Sequence, residues 1–236
     1  MRIGILQTGH VVEDLKPDFG DYDDMFSRLL GGRGFDFQTW NVVDGELPDS
    51  HSDADGWLIT GSRFAVYEDH DWIQPLAAFL RGCYDAASPV AGICFGHQIL
   101  AHALGGRVEK FKGGWSVGLN EYEFKGRRVK LNAWHQDQVV EPPAGAKVAG
   151  TSPNCEFAML EYGGRAISIQ PHPEFDGGFI ARLIELRGRG IVPDELLREA
   201  IDRLGNPSDS DFVASEIAEF FLNPSACANG AQNPGL

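Results

Sequence analysis

Cys94 stands between two glycines in the run Pro89-Val-Ala-Gly92-Ile-Cys94-Phe95-Gly96-His-Gln98. A short apolar stretch, the kind that forms a buried strand, precedes it. A stretch at helical spacing follows and closes on Gly105-Gly106. A nucleophile carried on a sharp strand-to-helix turn tolerates little bulk two residues to either side, and Gly92 and Gly96 meet that need. Such a turn lifts the sulfur out of the sheet and sets it at a helix N-terminus, whose partial positive charge favours thiolate. The backbone N–H of Phe95 then faces the same space and can donate to an oxyanion. A cysteine in an apolar stretch is more commonly an inert core thiol. Cys83 and Cys155 lack the turn and read as packing residues, and Cys227 reads as a tail residue.

A nucleophilic thiol needs a base, and Ser168-Ile-Gln170-Pro171-His172-Pro173-Glu174-Phe175 supplies one. His172 can take the thiol proton and later hand it to a leaving amine. Glu174 can hold the imidazole in one tautomer and stabilise its cation. The two flanking prolines stiffen the backbone around the histidine. The remaining histidines include His10, His51, His70, His97 and His102. They show no ligand spacing with acids or cysteines, so neither a metal nor a cofactor is expected.

These residues need a frame. Arg2 to Gln7, Phe35 to Val43, Gly56 to Thr60 and Pro89 to Ile93 read as strands, alternating with helices over Asp21 to Leu30, Asp71 to Ala87 and Gly96 to Leu104. Short apolar strands alternating with helices imply a parallel sheet covered on both faces, with the loops at its carboxyl ends gathered in one place. From Val108 to Gln170 the pattern changes to short strand-like runs, among them Trp115–Phe124, Arg128–Leu131, Lys147–Ala149 and Ala166–Gln170. Helical periodicity returns near 177–188, 193–204 and 210–222. No linker divides the chain. The reading is one domain over 1–222 followed by a disordered tail over 223–236.

Bulk properties narrow the class. With 236 residues the chain can bury a sizeable core. Its net charge of −14 repels nucleic acid and anionic membranes. No apolar run is long enough for a signal peptide or a membrane span. Four cysteines without regular spacing suggest neither a disulfide framework nor a zinc site, and a reducing cytoplasm is expected.

Taken together, Gly92-Ile-Cys94-Phe95-Gly96-His-Gln98 and the later His172-Pro-Glu174 resemble the class I, triad-type glutamine amidotransferases. The resemblance extends over nearly the whole chain to about Leu222 and includes Ile59-Thr-Gly61-Ser and Trp134-His135-Gln-Asp137-Gln-Val. It implies a flavodoxin-like open, mostly parallel sheet with helices on both faces and extra short antiparallel strands. It implies Cys94 as nucleophile, His172 as base and Glu174 as its orienter. It further implies Gly61 as the second oxyanion donor beside Phe95, Gln98 as a contact to the glutamyl head group, and His135 and Asp137 in a segment lining the same pocket. Where most members read Gln-Phe-His-Pro-Glu, this chain has Pro171 before the histidine, which removes a phenyl ring behind the base. No synthetase extension and no Walker-type phosphate loop are present in the sequence. The pattern is similar to the stand-alone, GMP-synthase-like subgroup that includes γ-glutamyl peptidases.

The expectation is therefore hydrolysis of a γ-glutamyl amide, either glutamine or a γ-glutamyl conjugate, through a γ-glutamyl thioester. Arg63, Phe64 and Tyr67 follow Gly61 in an expected rim loop and could contact a larger leaving group, although an ordinary surface loop is the commoner reading of such a segment. Two rivals stand beside this expectation: a glutaminase subunit delivering ammonia to a separate synthetase partner, and a non-enzymatic binding or regulatory module on the same fold.

Overall fold

The computed structural model describes residues 1–224. The tail assigned to 223–236, with Cys227 in it, lies outside the described residues apart from its first two positions. Nine strands form one sheet in the order β2-β1-β3-β4-β11-β10-β9-β6-β7. The first part is parallel: β1 (Arg2–Leu6), β2 (Asp36–Trp40), β3 (Gly56–Ile59), β4 (Val90–Ile93) and β11 (Ala166–Ile169). The second part is antiparallel: β6 (Ser116–Phe124), β7 (Arg127–His135), β9 (Lys147–Ser152) and β10 (Cys155–Tyr162). A separate antiparallel pair joins β5 (Arg107–Lys110) to β8 (Asp137–Glu141).

Every residue of β3 and β4 is buried, as strands covered on both faces require. Side chains alternate across the sheet, which splits the core in two. Trp57, Ile59 and Val90 face Leu76 and Leu80 of α3 (Ile73–Asp85) and Ile99 of α4 (Phe95–Ala103). Leu58, Ala91 and Ile93 face the other way, toward Phe26 of α2 (Tyr22–Leu29) and Val213, Ile217 and Phe221 of α7 (Ser210–Leu222). Asp21 starts α2 through a capping box with Asp24. The short α1 (Lys16–Phe19) precedes it. Past the sheet, α5 (Gly177–Leu183) runs into a π-helical turn, Ile184–Gly188, before α6 (Asp194–Asp202). A third apolar cluster gathers Phe175, Phe179 and Leu183 with Trp115 and Trp134.

The parallel half follows the sequence reading closely. Among the antiparallel strands, β6 matches the run read as Trp115–Phe124 to within one residue, whereas β7 and β10, at nine and eight residues, are longer than the short strands expected. Arg128–Leu131 is only the middle of β7, and β5, β8 and β10 were not read as strands at all. The segment Phe35 to Val43 stops as a strand at Trp40 and turns through a 3-10 helix at Val42–Asp44. Among the described residues, no helix is long and apolar enough to cross a membrane.

Register brings the carboxyl ends of the parallel strands together. Leu6 pairs with Ile59, Ile59 with Gly92, and Ile93 with Ile169. The chain just past each of these ends carries the residues of interest. Thr8 ties two of them, its N–H donating to Thr60 Oγ1 and its hydroxyl to Thr60 O, both at 3.0 Å.

Candidate active site

Cys94 has φ 54° and ψ −103°, a conformation that non-glycine residues rarely adopt. Its surroundings impose it. The Cys94 N–H donates to Ile169 O at 2.8 Å, which pins the residue to the end of β11. The Gly96 N–H donates to Thr60 O at 3.1 Å, which pins the first turn of α4 to the end of β3. Between these anchors the chain reverses so tightly that a Cβ on Gly92 would lie 2.3 Å from Gly96 O, and one on Gly96 would lie 2.4 Å from Ile59 O. Both glycines are therefore required by close backbone approach. The strain at Cys94 is held by the hydrogen bonds around it.

His172 is buried above the end of β11, and its Nδ1 lies 2.7 Å from Glu174 Oε1. The Glu174 side chain is fully buried, and its Oε2 has no hydrogen-bond partner among the described residues. Burial alone would lower the His172 pKa. The charge of Cys94 and then that of Glu174 outweigh it, and the imidazole is raised from 6.5 to about 10. Cys94, His172 and Glu174 are thus brought together as one electrostatic unit. Cys83 and Cys155 differ: burial pushes both thiols up to about 12.

Gly61 packs against both partners. A Cβ there would stand 3.0 Å from His172 Cε1 and 3.7 Å from Cys94 Cβ. Neither the Gly61 N–H nor the Phe95 N–H donates to any group among the described residues. The two donors are free for a ligand atom beside Cys94. Gln98, one turn into α4, directs its amide nitrogen to Asp137 O at 2.9 Å and Gln170 Oε1 at 3.2 Å. This contact fixes the start of β8 against the helix that carries Cys94. Asp137 is half-buried, which raises its pKa, and its carboxylate accepts from Tyr67 Oη at 3.1 Å. His135 is buried with neither ring nitrogen paired among the described residues, and desolvation lowers its pKa to about 3, so the ring is neutral.

Three residues that sequence reasoning did not single out complete the setting. Asn132 on β7 accepts the His172 N–H on its backbone oxygen at 2.8 Å and donates its side-chain amide to Phe175 O at 2.8 Å. The Phe175 ring stacks on the imidazole with centroids 3.9 Å apart and planes 5° off parallel. Tyr22 stacks on Phe175 in turn, at 6.2 Å. The position before His172 holds proline in this chain, and its aromatic packing comes instead from the position after Glu174. The Phe that follows Pro-Glu was visible in the sequence. Asn132 gave no local signal.

Cys94, Gln98, His135, Asp137 and His172 all open onto one cleft of about 370 Å³. Arg63, Phe64 and Tyr67 line it as well, so the loop after Gly61 forms part of its rim. Among the described residues no cluster of three or more His, Cys, Asp or Glu side chains is placed to hold a metal ion. The arrangement can do acyl transfer: a thiol beside a cationic imidazole, two unpaired N–H donors, and a cleft to hold the acyl group.

The family model described as glutamine amidotransferase class-I matches residues 17–182. A glutamine amidotransferase-like protein of Schizosaccharomyces pombe is 30% identical over 244 residues, with 94% of this chain and 98% of that protein covered. Gamma-glutamyl peptidase 4 of Arabidopsis thaliana is 32% identical over 189 residues, covering 73% of this chain and 75% of the relative. A GMP synthase of Pyrobaculum aerophilum is 29% identical over 66% of this chain, which spans 31% of that longer protein. Among solved structures, a glutamine amido transferase from Methylobacillus flagellatus superposes with a TM-score of 0.74 at 20% identity, covering 94% of both chains, and so shares the fold.

Proposed function

The chain belongs to the class-I glutamine amidotransferase family, and from that premise we propose that it hydrolyses a γ-glutamyl amide through Cys94, His172 and Glu174. The observation that carries this reading is the electrostatic unit at the sheet's carboxyl edge: a strained Cys94 on its elbow and an imidazole held cationic by Cys94 and Glu174. Cys94 Sγ attacks the γ-carbonyl carbon. The tetrahedral oxyanion is held by the N–H groups of Gly61 and Phe95, neither of which has another acceptor among the described residues. His172 gives its proton to the amine as the C–N bond breaks, leaving a γ-glutamyl thioester on Cys94. The same imidazole then takes a proton from water, which attacks the thioester and releases glutamate. Glu174 holds the ring through Nδ1 and stabilises its cation in both halves.

The glutamyl head group carries an α-ammonium and an α-carboxylate. Asp137 and Glu68 make an acidic corner of the cleft suited to the first, and Arg63 and Lys110 offer cations for the second. Gln98 and the neutral His135 supply uncharged polar atoms between them. We assign the activity to a unit spanning residues 1–222. The γ-glutamyl peptidase relatives make a conjugate as natural a substrate as glutamine. The GMP synthase alignment, confined to 31% of that protein, favours a second reading in which the ammonia is passed to a separate synthetase.

The direct test is Cys94→Ala assayed on glutamine and on γ-glutamyl amides. Sulfur is small and the fold should persist, while turnover should fall by a factor on the order of 10⁶, as when a nucleophile is removed from other triad enzymes. Retention of more than about one part in a hundred of the wild-type rate, with the protein folded by circular dichroism, would be incompatible with Cys94 as nucleophile.

A further inference from the structure

The cleft lining combines two unlike groups of residues. One is polar: Gln98, Asp137 and Tyr67, joined by hydrogen bonds, together with His135. The other holds His172, with its ring stacked on Phe175. Beyond Phe175 this second group continues through Leu183, Trp115, Trp134 and Ile191. Trp115 and Trp134 meet edge to face at 6.3 Å and belong, with Phe175 and Leu183, to a single apolar cluster. Ile191 stands 61% exposed and lines the same cleft, which extends the apolar surface of the partly buried tryptophans out to solvent. Arg187 lines the cleft too, has no carboxylate partner among the described residues, and acts by charge on Tyr22. It stands on the π-helical turn Ile184–Gly188, a distortion found often at functional sites.

The leaving amine receives its proton from His172. Its substituent leaves from beside His172 and is assigned to the apolar residues continuous with the Phe175 ring stacked on His172, and the glutamyl group to the polar residues of the cleft. We propose that these apolar residues form a leaving-group subsite for γ-glutamyl peptides whose second residue has a bulky apolar side chain and a free carboxylate. The side chain would lie against Trp115, Trp134 and Ile191, and the carboxylate would pair with Arg187. The inference rests on the γ-glutamyl hydrolase reading above. The reaction balances with water alone: the γ-amide C–N bond breaks, the acyl carbon takes the water oxygen to give glutamate, and the amine departs protonated as a free amino acid.

The test compares kcat/KM of the whole chain for γ-glutamylphenylalanine, its C-terminal amide, γ-glutamylglycine and glutamine. The wild type should favour the free acid over its amide by about tenfold, the worth of one charge-assisted contact. It should favour phenylalanine over glycine by about tenfold as well, from partial burial of the ring. Arg187→Gln, at an exposed position, should bring the acid-to-amide ratio close to one. Ile191→Ser should reduce the phenylalanine-to-glycine ratio. Both readouts are ratios between substrates with the same scissile bond, so a general loss of activity would not mimic them. An acid-to-amide ratio that survives Arg187→Gln, or a wild type that prefers glutamine to every dipeptide, would overturn the subsite and leave the hydrolase reading intact. Inertness of the wild type toward all four substrates would overturn both.

Discussion

Glu174 reaches His172 with one oxygen and leaves the other unpartnered in a fully buried position. A buried, half-satisfied carboxylate is costly to a fold unless a cation faces it. The two residues are therefore one unit in stability as well as in the proposed chemistry. His172 has its pKa raised from 6.5 to about 10 in the folded protein. The stabilisation tied to that shift is fully present below 6.5, declines as pH rises, and is lost as pH passes through about 10. Glu174→Gln keeps a hydrogen bond to Nδ1 and removes the charge. Its stability deficit against wild type should thus be greatest at about pH 6.5 and shrink toward pH 10, which thermal melts across that window would read; a deficit that grows with pH over this range would contradict the pairing. In turnover it should lose roughly 10⁴-fold, less than the roughly 10⁶-fold expected of His172→Ala. At this scale the sequence was informative where residue type and spacing suffice, as for Cys94, His172 and Glu174. It was silent on Asn132, whose two bonds around His172 join positions about 40 residues apart in the chain and exist only once β7 and the loop after β11 meet.

The elbow is a property of an element pair, β4 running into α4, and it depends on backbone atoms that cannot yield. A Cβ on Gly92 would press on Gly96 O and one on Gly96 would press on Ile59 O, both well inside contact distance. Gly92→Ala should therefore displace Cys94 from the space beside Gly61, and a displacement near 1 Å commonly costs about 10²-fold in rate. It should also destabilise the protein by about 1–3 kcal/mol, as overpacking does. Gly205, with nothing within 4 Å of its Cβ position, is the matched control, and Gly205→Ala should change neither quantity. Activity equal to wild type in Gly92→Ala would show that the turn is not what positions the thiol. The same scale shows why some elements were readable and others not. β3 and β4 are short apolar runs between glycine or proline and the next turn, a signal buried parallel strands give on their own. β10 reads Cys-Glu-Phe-Ala-Met-Leu-Glu-Tyr, rich in residues that also favour helices and without clean alternation, and becomes a strand because β9 and β11 flank it. β5 and β8 are four and five residues long and carry charges, so only their mutual pairing defines them.

Across the whole molecule, an acidic surface surrounds a cleft of mixed sign. The net charge is −14, yet Arg63, Lys110 and Arg187 all line the cleft, with Asp137 and Glu68 as their acidic counterparts. A uniformly acidic protein would repel a γ-glutamyl peptide, which carries two carboxylates and one ammonium. These cations give such a substrate a local place to bind. The acidic corner at Asp137 and Glu68 then has its own consequence. Asp137 is half-buried and already raised in pKa by desolvation, with Tyr67 its hydrogen-bond donor. Bringing an α-ammonium to this corner relieves a charge that burial disfavours, whereas an acetylated nitrogen brings no charge and leaves Asp137 with only its Tyr67 hydrogen bond and the charge of Lys110. Leaving polar groups of a site without partners costs about 1–3 kcal/mol each, so N-acetylation should lower kcat/KM by roughly 10- to 100-fold or more. That penalty should exceed the roughly tenfold change caused by altering either the side chain or the carboxylate of the leaving amino acid alone, because the first makes mainly apolar contact and the second meets one exposed cation. Measuring glutamine, a γ-glutamyl dipeptide and their N-acetyl forms on the chain alone separates the two terms. If N-acetyl substrates turn over as fast as their parents, specificity does not reside at the glutamyl end and the assignment of Asp137 to head-group binding fails. If every substrate is inert until a synthetase is added and then glutamine is consumed, the ammonia-supplying reading replaces the free-standing hydrolase.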